Sequence, residues 1–185
     1  MTALASRGQL RASFIRWALF TVPLVVLLGF LAGRLSGSGA DTMWFESLVK
    51  PAIFPPPMWF GIVWTILYVM MGLALAMVCA AWGARGRGIA IAAFVVQFAV
   101  NLTWSPTFFA LHEIRNALIV IAVLDVLVII TIALFWRVRK MAAVLLLPYL
   151  AWILFATVLN WQFLELNPDG GIEAPANGAV ERYEF

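Results

Sequence analysis

Trp64 and Tyr68 stand four residues apart, so in a helix they share one face. Asn101, Trp104, Ser105 and Phe108 fall within a stripe of about 100° at about 3.6 residues per turn, and Trp152, Phe155, Ala156 and Leu159 make a second such stripe. Indole faces stack on flat rings and indole N–H groups donate hydrogen bonds. The small Ser105 and Ala156 leave space between larger neighbours. Three helices carrying these side chains to a common interior would form a pocket for a flat, mostly apolar ligand. The same stripes also read as helix packing. Tryptophan is enriched at membrane interfaces whatever the function, a belt that Trp59, Trp82, Trp136 and Trp161 suit.

Asp125 is a carboxyl in the middle of an apolar run, where insertion costs about 2.5–3.5 kcal/mol. It should face the interior, protonated or hydrogen-bonded. One reading makes it a ligand-contacting or proton-handling acid. The other makes it a structural hydrogen bond to a neighbouring helix, through Asn101 or a carbonyl freed by proline. Asn101 and Asn160 have the same reading as polar glue between helices. Pro106 deprives the carbonyl of Leu102 of its helical donor, and Pro148 does so for Val144. Each is a candidate bend that would widen a cavity locally.

These residues must be positioned in a membrane. Of 185 residues, 64% are hydrophobic and 11% charged, more apolar surface than a soluble domain could cover. The single Cys79 excludes an internal disulfide, and the single His112 leaves no His/Cys metal cluster. The net charge of +3 comes from scattered flanking residues and not from a basic stripe, so no nucleic acid is expected as a partner. A bilayer core of about 30 Å needs about 20 helical residues. Five segments qualify, at about 15–33, 59–82, 89–111, 117–136 and 142–164. They are flanked by a basic N-terminal extension, 1–14, and a polar, acidic, Gly/Pro-spotted tail, 167–185, expected to be mobile. Short loops after the second, third and fourth spans make those helices antiparallel neighbours.

Eight of the twelve basic residues lie in the N-terminus (Arg7, Arg11, Arg16), the second loop (Arg85, Arg87) and the fourth (Arg137, Arg139, Lys140). These regions share one side of the membrane, and the positive-inside rule makes that side, with the N-terminus, cytoplasmic. The first span also resembles a signal peptide. Its apolar stretch is long for one, and the sequence is read as retaining it.

Only the first loop has room for structure of its own. Its KPAIFPPPMWF stretch holds Pro51, Pro55, Pro56 and Pro57, which forbid a continuous helix and bias Lys50 and Phe54 toward extended backbone. A chain so stiffened loses little further entropy on folding. It can fold back over the bundle mouth as a preordered lid carrying Trp44, Phe45 and Phe54. The plainer reading is a proline-terminated helix start, with Pro57 near the first turn.

An ordered set of elements resembles the TspO/MBR family of tryptophan-rich sensory and translocator proteins. They are Trp44-Phe45, Lys50-Pro51 and Pro55-Pro56; Trp59, Trp64 and Tyr68; Asn101-Leu102-Thr103-Trp104-Ser105-Pro106 with Phe108-Phe109; Asp125; and Pro148-Tyr149-Leu150-Ala151-Trp152, Phe155-Ala156-Thr157 and Leu159-Asn160. The resemblance covers residues 15–166 and implies an all-α integral membrane protein, a bundle of five transmembrane helices whose long first loop is a lid. It implies a homodimer in a bacterial cell membrane, bathed in membrane lipid. It further implies a receptor or translocator that handles porphyrins, protoporphyrin IX or haem, as ligand and needs no obligatory cofactor. Phe45 and Pro55 of the lid join Trp64, Tyr68, Asn101, Trp104, Ser105, Phe108, Trp152, Phe155, Ala156 and Leu159 as expected ligand contacts. The positions of Trp64 and Trp152 are those that donate hydrogen bonds to ligand in the family. A light-dependent porphyrin-degrading enzyme and a sterol or solute transporter are the alternatives. The stretch 159–165 lacks the basic residue of the cholesterol pattern found in animal members, which weighs against sterol.

Overall fold

The computed structural model describes residues 6–38 and 42–170. Of the expected polar tail, residues 171–185 lie outside the described residues, as do residues 1–5 of the N-terminal extension. The first helix, α1 (Arg7–Leu35), starts well before the apolar stretch because Ser6 caps it. Ser6 Oγ accepts from the Gln9 amide at 3.2 Å, while the Ser6 amide donates to Gln9 Oε1 at 2.8 Å. This reciprocal pair satisfies two otherwise orphan donors and lets the helix run on beyond the apolar stretch. After it come a short α2 (Met43–Ser47), α3 (Met58–Cys79) and α4 (Arg87–Ser105). A π-helical turn (Pro106–Ala110), α5 (Ile114–Val138), α6 (Lys140–Leu145) and α7 (Leu147–Leu166) complete the chain.

Five helical stretches are long and apolar enough to cross a membrane, with α4 plus its π turn and α6 plus α7 each making one span. Their ends fall close to those read from hydropathy, except at the capped start of α1.

Both prolines mark breaks. Pro106 has no N–H to give, and the chain passes there into the wider π turn, closed by the Leu111 amide on the Pro106 carbonyl at 3.0 Å. Pro148 sits in the first turn of α7, where its missing N–H costs nothing, and the helix is interrupted at Leu146.

The spans form a closed ring in which α1 packs on α3, α3 on α6 and α7, those on α5, α5 on α4, and α4 back on α1. The short second loop brings the ends of α3 and α4 together, yet α3 packs far more extensively on α1. Gly72 explains that preference. A Cβ there would lie 2.6 Å from Val22 Cα, so the two backbones touch, and Thr21 Oγ1 donates to the Gly72 carbonyl at 2.8 Å. Small residues at a crossing are how helices gain contact in lipid, where no hydrophobic difference drives them together.

One half of the ring is filled solid by an apolar cluster around Met71, Phe94, Phe135, Tyr149 and Ile153. A second cluster closes the opposite end, where Trp44, Phe45 and Leu48 pack on Phe108, Leu159 and Phe163. Arg11, Arg16, Arg85, Arg87, Arg137, Arg139 and Lys140 lie at the solid end of the ring. There Arg87 lies 4.3 Å over the Trp82 ring and Lys140 lies 5.7 Å from that of Trp136.

The segment between α1 and α3 lies across the other end. Thr42 caps α2 by accepting from the Phe45 amide, and Lys50 folds back on the far end of the helix. Its ammonium donates to the carbonyls of Phe45, Glu46 and Leu48 at 2.9, 3.1 and 3.2 Å. A cation on the exposed carbonyls of a helix C-terminus replaces their missing donors and opposes the dipole. Lys50 thereby lets a five-residue helix hold Trp44 and Phe45 inward, although so short a helix is unstable alone.

Candidate functional site

Between the two apolar clusters the ring is not filled. The gap is a cavity of about 370 Å³, walled by α1, α3, α4, α5 and α7 and covered by Phe45, Phe54 and Pro57 of the first loop. That volume is at the lower end of the 300–1,000 Å³ typical of small-molecule pockets.

Trp64 lies on one wall, its ring stacked on Tyr68 with centroids 5.0 Å apart. Trp152 stands on α7 with its ring edge-on to Phe60 at 5.8 Å. Among the described residues, the indoles hydrogen-bonded to protein are those of Trp44, Trp82 and Trp104. The N–H groups of Trp64 and Trp152, both lining the cavity, make no hydrogen bond among the described residues. That of Trp104 is used internally: it donates to Asn160 Oδ1 at 3.1 Å, while Asn160 Nδ2 donates to the Ile114 carbonyl at 3.0 Å. Asn160 therefore ties α4 and α5 to α7, and Trp104 presents its face, stacked on Phe108 at 5.2 Å, instead of its donor.

The floor is a polar chain that ends at Gln97, whose Nε2 has no partner among the described residues. Tyr68 hydroxyl donates to Asn101 Oδ1 at 3.5 Å, Asn101 Nδ2 donates to Tyr149 hydroxyl at 3.2 Å, and Tyr149 hydroxyl donates to Gln97 Oε1 at 3.1 Å. Such a chain fixes the Tyr68 ring and the amide of Asn101 in the wall, since a broken link would strand a buried polar group.

Ten residues expected from sequence line the cavity: Phe45, Trp64, Tyr68, Asn101, Trp104, Ser105, Phe108, Trp152, Ala156 and Leu159. Two stand apart. Pro55 and Phe155 line a groove on the outer side, beside Trp59 and Val63, with Trp152 as the wall shared between groove and cavity. On α7 the inward face runs through Trp152, Ala156, Leu159, Asn160 and Phe163. At about 100° per residue, Phe155 sits roughly 100° from its centre. The wheel placed these residues in one stripe but could not tell which edge of it looked inward.

Asp125 is buried away from the cavity wall, on α5 facing α7, where Thr157 Oγ1 donates to its Oδ2 at 2.8 Å. The helix-to-helix hydrogen bond is therefore present, with Thr157 as partner and not Asn101. Residues missed from sequence include Gly29, Ala32, Gly33 and Arg34 of α1. The small residues at i, i+3 and i+4 were the available signal, because a helix lacking bulk on one face leaves room there.

Asn167, where the sequence reads the start of a tail, is buried and holds the first loop. Its Oδ1 accepts from the Val49 amide at 2.8 Å, and its Nδ2 donates to the Val49 carbonyl at 3.0 Å and the Phe163 carbonyl at 2.9 Å. Close by, Trp44 Nε1 donates to the Gly170 carbonyl at 2.8 Å. One side-chain amide thus pairs both backbone groups of Val49, as a neighbouring strand would. Asn167→Ala strands both, a loss of about 1–3 kcal/mol. Hydrogen exchange across residues 42–57 should accelerate about tenfold, with the amides of α4 and α5 unchanged; unaltered exchange in the loop would show that the latch is dispensable.

The fold and the cavity define a class: a polytopic α-helical membrane protein enclosing an aromatic pocket beneath a structured first loop. Residues 21–166 match the model of the TspO/MBR family, and the chain belongs to that family. It is similar to the tryptophan-rich protein TspO of Chlorobaculum tepidum, with 37% identity over 148 residues covering 80% of this chain and 93% of that one. It is likewise similar to protein CrtK of Rhodobacter capsulatus, 35% identical over 74% of this chain and 86% of that protein. The human translocator protein is 32% identical over 72% of this chain and 80% of its own.

Proposed function

We propose that this protein is a membrane receptor or translocator for porphyrins, with the cavity as its binding site and the first loop as its lid. The observation that carries this reading is the pair Trp64 and Trp152, whose indole N–H groups have no hydrogen-bond partner among the described residues, in a pocket walled mainly by aromatic, aliphatic and small side chains. A flat macrocycle with a π face and ring-edge acceptors matches that wall. The names of the relatives, tryptophan-rich sensory protein and translocator protein, are consistent with a sensing or passing role. On this reading the positive-inside rule makes the basic, solid end cytoplasmic, and the cavity belongs to the opposite half of the bilayer. Occupancy acts on the lid only through a difference in affinity between its closed and open positions. Phe45, Phe54 and Pro57 supply that difference, because they touch the ligand only when closed.

Protoporphyrin IX titrated into detergent-solubilised protein should quench tryptophan fluorescence saturably. Trp64→Phe combined with Trp152→Phe keeps two flat rings and removes both donors, worth about 1 kcal/mol each. Affinity should fall about tenfold or more. An unchanged affinity removes these two residues from the site.

A further inference from the structure

The cavity wall contains one charged side chain among the described residues, Arg34, in the last turn of α1. Beside it the rim carries two hydroxyls, Ser38 and Ser105, whose Oγ atoms are 3.3 Å apart and bridge the end of α1 to α4. Ser38 commits its own proton to the Gly33 carbonyl at 2.6 Å. The proton between the two serines is therefore that of Ser105, and a 3.3 Å contact is a weak claim on it. One rim thus offers a permanent cation with a planar donor fork and a hydroxyl donor free to turn. The remaining walls are aromatic, aliphatic and small side chains with the neutral amides of Asn101 and Asn160.

We propose that Arg34, assisted by Ser105, is a carboxylate subsite that selects acidic ligands over neutral ones of the same shape. The inference rests on the reading of the cavity as a ligand site and adds the chemistry of its rim. The ligand it implies is amphipathic: a flat apolar body between Trp64, Trp104 and Trp152, with a carboxylate at one edge. Guanidinium is the group suited to this task, since it stays charged at every accessible pH and meets a carboxylate with two parallel donors. Its position at the end of an apolar span also lets the stem pack on the wall while the head stays near water, so the free site is not penalised. A purely structural Arg34 would instead neutralise the dipole at the C-terminus of α1. That role makes no distinction between ligands.

The test compares protoporphyrin IX with its dimethyl ester, which keeps the macrocycle and removes both negative charges. Wild-type protein should bind the diacid about tenfold more tightly, and raised salt should narrow the gap. Arg34→Gln should bring the diacid down to the affinity of the ester, leaving the ester and the melting temperature unchanged. Arg34→Lys should restore part of the preference. If wild type binds both forms equally, or Arg34→Gln weakens both alike, the carboxylate subsite is refuted while the cavity reading stands. If neither form quenches, the cavity reading falls and this inference with it.

Discussion

Alanine at Gly29 should lower porphyrin affinity about tenfold or more and leave the bundle folded. A Cβ at that position overlaps Tyr68 Cε2 and Cζ and lies 2.8 Å from Cδ2, against the 3.5–4.0 Å or so at which carbons rest in contact. The Tyr68 ring has to move by more than about an ångström. Phe30 and Phe98 stand edge-on to it at 6.1 and 6.3 Å, while its cavity side has no protein atoms packed against it. The ring therefore turns into the pocket, where it breaks its stack on Trp64 and its hydrogen bond to Asn101. Part of the loss from the broken bond and stack, about 1–3 kcal/mol, is recovered by the gain of up to about 1 kcal/mol from alanine in a helix, so the bundle stays folded with a modest drop in stability. Fluorescence titration beside thermal unfolding separates the two effects. Wild-type affinity in Gly29→Ala would mean that Tyr68 is not part of the binding wall.

The same replacement one helix over should act on stability instead. At Gly72 the added Cβ meets Val22 Cα at 2.6 Å and the Thr21 carbonyl oxygen at 3.1 Å. A backbone atom cannot turn aside as a ring can, so α1 and α3 must separate by about 1 Å to restore ordinary contact. Overpacking of this kind costs about 1–3 kcal/mol, and the stretched hydrogen bond from Thr21 adds about 0.6 kcal/mol. The helix-propensity gain of about 1 kcal/mol does not recover this. Gly72→Ala should lose about 2 kcal/mol in denaturant unfolding, and Gly72→Val more. Gly88→Ala is the control, since a Cβ there meets nothing within 4 Å. Equal stability of Gly72→Ala and wild type would disprove the close crossing.

Gly29 and Gly72 belong to the same helix pair and are the same residue type, yet they predict opposite phenotypes. Nothing local to either position separates them. What separates them is the atom that happens to lie opposite, an aromatic ring in one case and a main chain in the other.

The five spans were legible because membrane insertion demands about 20 apolar residues in a row, and that is a property of contiguous sequence. Pro106 and Pro148 were legible as candidate bends, since a missing N–H acts within its own turn, but that each marks a break was decided by the structure. Helical spacing showed that the tryptophans fall in stripes, while the assignment of Trp64, Trp104 and Trp152 to a pocket came from the family resemblance.

The direction in which each stripe faces was not legible, and Phe155 shows why. In a soluble bundle the apolar face identifies the interior. In lipid, the outside of a helix is as apolar as its inside, so periodicity fixes a face without saying which neighbour it meets. Pairing of α1 with α3, the choice of Thr157 as partner for Asp125, and the empty volume between two packed clusters all follow from that long-range choice. So do the places of two residues near the mouth of the cavity. Asn167 and Arg34 read as a tail residue and a flanking charge until the first loop lies across the ring and brings Val49 to one and an open rim to the other. Composition and local periodicity made this a five-span membrane protein with tryptophans at helical spacing; helix pairing in the folded ring made those tryptophans the walls of a cavity.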